Sequence, residues 1–172
     1  NEGKLAGEWL VDFIDKKGRT KEDINIVTIQ GTMNSSAQIG RSDGFNEVLK
    51  GQSKWKLLDE QSGDFTEEGG YSVMKSFLQN YKDIDVVVCH NDNEAFGAIT
   101  AIKEANRTCG VNGDITVISF DATKGGFEKM VDGLINVDVE CNPLEGPLVS
   151  ELIKKLEKGE KVDKTQYVEE GV

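Results

Sequence analysis

A chain of 172 residues with 37% hydrophobic and 30% charged residues has the material for one packed domain, or for one lobe of a larger protein. Lysine and arginine number 20 and aspartate and glutamate 31, and the resulting net charge of −11 is dispersed, which excludes the basic patch of a nucleic-acid binder. No apolar run approaches the roughly 20 residues that cross a bilayer, and 3 scattered cysteines, 1 histidine and no CxxC exclude a disulfide framework and a clustered metal site.

Leu5, Trp9, Leu10, Phe13 and Ile14 recur at helical spacing and predict an amphipathic helix over 3–16, closed by Lys16-Lys17-Gly18. The chain begins inside this helix at Asn1-Glu2-Gly3, so it is expected to be a mature or trimmed product. A strand follows over 24–30. Ser35 or Ser36 can cap a helix running to about Lys50, with Gly51 beyond it. A strand over 55–60 comes next. Asp64 or Thr66 then caps a helix carrying Tyr71, Met74, Phe77, Leu78 and Tyr81. Val86–Cys89 is short and wholly apolar, as in a sheet covered on both faces.

Asn91 or Asp92 caps a helix over 93–106, with Phe96, Ile99 and Ile102 inward. Strand 115–120 precedes a helix near 124–132, and strand 134–140 follows. Pro143 is expected to open a last helix from Leu148 to Leu156, with one more short strand around Tyr167-Val168. Buried thiols are expected at Cys89, Cys109 and Cys141. The order αβαβαβαβαβα implies a single α/β domain of three αβα layers. Its Rossmann-like, mostly parallel sheet has right-handed crossovers and helices on both faces.

Five apolar runs end abruptly in polar or aromatic residues. They lead to Gln30-Gly31-Thr32 with Arg41 beyond, to Asp64-Phe65, to His90-Asn91-Asp92, to Phe120-Asp121 and to Glu140-Cys141-Asn142-Pro143. In open α/β sheets ligands bind outside the carboxyl ends of the strands. Arg41, Asn91, Asp121 and Glu140 supply planar groups that can hydrogen-bond two neighbouring hydroxyls, and Phe65 a ring for a sugar's C–H face. Each has a plainer reading: Asn91 and Asp121 as helix caps, Arg41 as a surface charge, Phe65 as core, Glu140 as an exposed edge residue. Their joint placement favours a ligand site.

Enzyme motifs are absent. Cys89 and His90 are adjacent on a strand, so their side chains point to opposite faces and make a poor nucleophile–base pair. There is no G-x-S-x-G, no GxxxxGK[ST] and no G-x-G-x-x-G after the first strand. Asp92, Glu94 and Asp121 have no specific acid–base or metal spacing. No cofactor is expected.

Glu2-Gly3-Lys4-Leu5-Ala6-Gly7-Glu8-Trp9-Leu10, Gln30-Gly31-Thr32, Gly40-Arg41-Ser42-Asp43-Gly44-Phe45, Gly63-Asp64-Phe65-Thr66, His90-Asn91-Asp92-Asn93-Glu94-Ala95-Phe96-Gly97-Ala98 and Phe120-Asp121 together carry a resemblance. The chain resembles the periplasmic or lipoprotein sugar-binding proteins of bacterial ABC transporters, of the ribose/galactose group, with the galactofuranose branch nearest. The resemblance runs through most of the chain in family order. It implies the C-terminal lobe of a type I periplasmic binding protein, with the N-terminal lobe and a hinge-crossing tail missing. It also implies ligand contacts at Arg41, Phe65, Asn91, Asp121 and a fifth position, either Glu140 or Cys141.

The function so implied is binding of a monosaccharide between two lobes, without catalysis. The implied partners are membrane permease subunits and the missing lobe, with no nucleic acid. The implied location is the periplasm or the extracellular face of the cell membrane of a bacterium, secreted or lipid-anchored. The effector domain of a LacI-type repressor, an autoinducer-2-type receptor and a stand-alone α/β enzyme are the alternatives.

Overall fold

The computed structural model describes residues 2–166 and residue 171. Its elements are α1 (Glu2–Lys16), β1 (Ile24–Gln30), α2 (Ser36–Lys50), β2 (Trp55–Ser62), α3 (Glu67–Asn80), β3 (Val86–Cys89), α4 (Asp92–Glu104), β4 (Thr116–Asp121), α5 (Lys124–Val131), β5 (Val137–Glu140) and α6 (Gly146–Glu157). The expected alternation and the αβα Rossmann-like class both hold. All five strands are parallel, in the order β2-β1-β3-β4-β5. The strand expected around Tyr167-Val168 lies outside the described residues.

The short strand β3 shows why both faces are covered. Val86 and Val88 enter one core with Ala6, Leu10 and Ile14 of α1 and Phe45 of α2. Val87 and Cys89 enter the other with Met74 and Phe77 of α3 and Ala98 and Ile102 of α4. Small residues let the helices meet closely: a side chain on Gly3 would overlap the Arg41 carbonyl, and one on Gly97 the Glu67 carbonyl. These contacts fix α1 against α2 and α3 against α4.

Four helices following strands are capped by the side chain just before them. Ser35 accepts from Gln38 N, Thr66 from Gly69 N, Asn91 from Glu94 N and Thr123 from Gly126 N. The cap of α5 is therefore Thr123 and not Asp121.

Three expectations need correction. Strand β5 starts only at Val137, because the amides of Leu134 and Ile135 still bond back to Lys129 O at the exit of α5. The last helix is opened by Pro147 in its first turn, while Pro143 lies in the preceding loop. Cys141 is exposed rather than buried, because it stands past the end of β5; Cys89 and Cys109 are buried as expected.

Helix α6 stands apart. None of its residues is buried, and Val149, Ile153 and Leu156 face outward. Among the described residues no helix is long and apolar enough to cross a membrane.

Candidate functional site

Strand order becomes spatial order at the carboxyl edge of the sheet. Phe65 follows β2, Gly31 follows β1, Asn91 follows β3, Asp121 ends β4 and Glu140 ends β5. Asp121 and Glu140 sit opposite each other in register. The strand order reverses between β1 and β3, the usual place for a ligand crevice in such sheets.

Arg41 reaches this edge from α2 and is not a surface charge, being only 3% exposed. Its Nε donates to Glu2, one terminal nitrogen donates to the His90 carbonyl, and the other donates to Asp121 Oδ1 at 2.8 Å. The guanidinium carbon stands 5.1 Å from the Phe120 ring centroid. Burial disfavours the charge on Arg41, but Glu2 and then Asp121 outweigh it and raise its pKa. At Asp121 burial wins: its pKa is raised although Arg41 pulls it down. Glu2 is a partner that the strand-end reading missed. Its signal is the close approach at Gly3, which brings the first turn of α1 onto Arg41.

Phe65 is half-buried, in a strained turn. Asp64 has φ 56° and Phe65 φ 59°, in the left-handed region that non-glycine residues avoid. The first turn of α4 holds this turn at both ends. Phe65 N–H donates to Glu94 Oε1 at 3.0 Å, and Asn91 Nδ2 donates to the Phe65 carbonyl at 3.1 Å. The ring lies over Gly31, where a side chain would collide with it. Asn91 is thus a helix cap and a tie to Phe65 at once, with Oδ1 accepting from Glu94 N at 2.9 Å. Glu94 is fully buried, and burial pushes its carboxyl up to about 8 although the amides of Phe65, His90 and Asn91 oppose this. His90 is held neutral: burial, then the Arg41 charge, lowers its pKa to about 3.

Glu140 is half-buried at the far end of the row. Its N–H donates to Gly171 O at 3.0 Å, and its carboxylate accepts from Gly171 N at 3.1 Å. Glu140 is the last residue of β5, level with Asp121, whereas Cys141 lies past the strand end. Cys89 is in the apolar core under α3 and α4, and burial raises its thiol pKa well above normal. His90 packs edge-on against Phe120 at 6.2 Å, and Phe120 belongs to the opposite core. The edge therefore presents planar hydrogen-bonding groups and one aromatic ring, and its Cys89 and His90 are not paired for nucleophilic attack.

A family model described as "Periplasmic binding protein domain" matches residues 2–161. The chain is 41% identical over 157 residues to a galactofuranose-binding protein of Escherichia coli, covering 89% of this chain and 47% of that protein. It is 31% identical over 164 residues to a ribose import binding protein of Bacillus subtilis, covering 95% and 49%. Among solved structures, a Mycobacterium smegmatis protein in complex with β-D-fucofuranose superposes with TM-score 0.81 at 39% identity, over 94% of this chain and 51% of that one. The periplasmic binding component of the arabinose ABC transporter of a Shewanella species, bound to α- and β-L-arabinofuranose, superposes with TM-score 0.81 at 37% identity, over 96% and 52%. The chain spans about half the length of the relatives it matches.

Proposed function

The chain belongs to the periplasmic binding protein domain family, and from this premise we propose that it forms one lobe of a two-lobed monosaccharide receptor serving a bacterial ABC importer. The observation that carries this reading is the continuous row Phe65, Asn91, Asp121 and Glu140 along one sheet edge, with Arg41 buried behind it on Asp121. A sugar hydroxyl that meets Asp121 or Asn91 replaces water with a charged or planar partner. A hydroxyl in the wrong place leaves a buried polar group unpaired, which is the source of specificity. The Phe65 ring offers an apolar face for the sugar's C–H side.

Furanose forms of a pentose or hexose are the favoured ligand class, because one relative above is named for galactofuranose and two solved structures hold fucofuranose and arabinofuranose. The second lobe would come from the part of the protein that its relatives have and this chain lacks. Closure of the two lobes on the sugar would change the surface shown to the permease subunits. The protein would work in the periplasm or on the outer face of the membrane, and would release its ligand unchanged.

The test is a thermal-shift screen of the full-length protein against D-galactose, D-fucose, L-arabinose, D-ribose and D-apiose, with phosphate and nucleotides as contrasts. A ligand that binds only the native state raises Tm. One sugar that raises Tm, with the rise lost in Asp121→Ala, supports the receptor reading. A rise with a nucleotide or phosphate alone overturns it.

A further inference from the structure

The turn that bears Asp121 is strained and is held from below by two buried carboxyl groups outside the row. Asp121 has φ 101° and Ala122 φ 50°, both left-handed and neither glycine. Such a pair persists only where the surroundings over-determine it. Ala122 N–H donates to Asp138 Oδ1 at 3.1 Å. Thr123 N–H and the Thr123 hydroxyl both donate to Asp92 Oδ2, at 2.9 and 2.6 Å. Ser119 Oγ donates to Asp92 Oδ1 at 2.6 Å. Asp92 is 1% exposed and Asp138 5%.

The remaining oxygen, Asp138 Oδ2, meets no donor among the described residues. It faces Asp92 Oδ2 across the space that a side chain on Gly126 would fill. Asp92 already receives three donors on its two oxygens, the pattern of an ionised carboxylate. A second buried charge beside it is unfavourable. Burial, then Asp92, raises the Asp138 pKa far above the usual carboxylate range, which favours a proton on the oxygen that faces Asp92. Asp121 also acts on Asp138, and Glu140 lines one cleft with Asp138, Ala122 and Phe127. The charges of α5 are engaged elsewhere, Lys124 with Glu128 and Lys129 with Asp132, and Arg41 of α2 pairs with Asp121.

We propose that Asp138 and Asp92, sharing one proton, are positioning residues that lock the Asp121-Ala122-Thr123 turn in its ligand-facing form and lose that hold when the proton leaves. The link to ligand rests on the sugar-receptor reading; the hold on the turn does not.

Asp138→Asn separates the two. Its amide can put an N–H where the shared proton stands and keep an oxygen for Ala122 N–H, so it mimics the protonated form at every pH. In the full-length protein, the Ala122 and Thr123 amide resonances would be followed from about pH 6 to about pH 9.5, with D-galactose and L-arabinose affinities measured alongside. In the parent protein both resonances should step through about 8. Affinity should then fall by up to about tenfold per pH unit, the limit for one linked proton. In Asp138→Asn both resonances should stay level and the affinity should fall less steeply, the remainder coming from Glu94 under the Phe65 turn, which also titrates at about 8. Asp92→Asn removes the neighbouring charge and should move the step to lower pH, which keeps a test in hand if Asp138→Asn does not fold. Resonances that stay still in the parent, or affinities that fall alike in parent and Asp138→Asn, overturn the proposal. If none of the five sugars of the thermal-shift screen binds at any pH, the receptor reading has failed, and the amide titration alone decides the carboxyl pair.

Discussion

Arg41 is held by two carboxylates and a carbonyl, so its removal leaves three acceptors without their donor. Breaking a buried ion pair from one side costs about 3–5 kcal/mol. Because the Asp121 side chain is 33% exposed and partly screened, Arg41→Ala should cost about 3 kcal/mol, read from the urea midpoint. Arg41→Lys should recover less than half of this, since an ammonium cannot reproduce the fork. An Arg41→Lys protein as stable as the parent would count against this geometry.

Glu94 gives a pH prediction. Its folded pKa of about 8 lies above the ordinary 4.5, so its contribution is complete below 4.5 and is lost as pH rises through about 8. His90 works the other way, its contribution being lost as pH falls below 6.5 toward about 3. Above pH 6.5 the carboxyls therefore dominate, and Tm should fall toward pH 8.5. Glu94→Gln, which cannot ionise but can still accept from Phe65 N–H, should flatten that fall. Equal slopes in the two proteins would show that Glu94 holds no proton.

At the scale of elements, the first turn of α4 serves both of its neighbours. Asn91 and Glu94 tie the strained Phe65 turn on one side, and Asp92 ties the strained Ala122-Thr123 turn on the other. Each left-handed non-glycine residue costs on the order of 1–3 kcal/mol, so these ties explain how such turns survive. Helix approach matters equally for Arg41. Gly3→Ala would push α1 away from the Arg41 carbonyl and draw Glu2 off the guanidinium, for a loss of about 1–3 kcal/mol in denaturant unfolding. Gly40 also lies in a helix, but a side chain there meets nothing within 4 Å. Gly40→Ala should therefore stabilise by about 0.5–1 kcal/mol. The two substitutions shifting the midpoint in the same direction would contradict the packing described.

At the scale of the whole molecule, the row of polar groups lies on one edge with no facing wall among the described residues, and α6 keeps its apolar stripe outside both cores. A clamp gains affinity from contacts on both sides and from excluded water, so under the proposed two-lobed receptor reading the 172-residue chain alone should bind a sugar at least about a hundredfold more weakly than a protein carrying both lobes. Calorimetry on both would show it, and equal affinities would mean that this lobe holds a complete site.

The alternation of helix and strand was readable from the chain because apolar runs, caps and helical spacing are local signals. So was the placement of Phe65, Asn91, Asp121 and Glu140 on one edge, since parallel strands must all end on the same side. The sequence could also narrow each cap to one or two side chains. Asp121 as the cap of α5, the plainer reading of that residue, falls because Thr123 holds the cap, and only the turn geometry separates two such good capping residues. Tertiary structure alone decided the strand order, the partnership of Glu2 with Arg41 and the meeting of Asp92 with Asp138. These pairs lie far apart in the chain, and their contact depends on how closely helices approach across small residues. The pKa values of Glu94, His90 and Asp138 belong to the same level, because burial shifts them and burial is a property of the packed molecule.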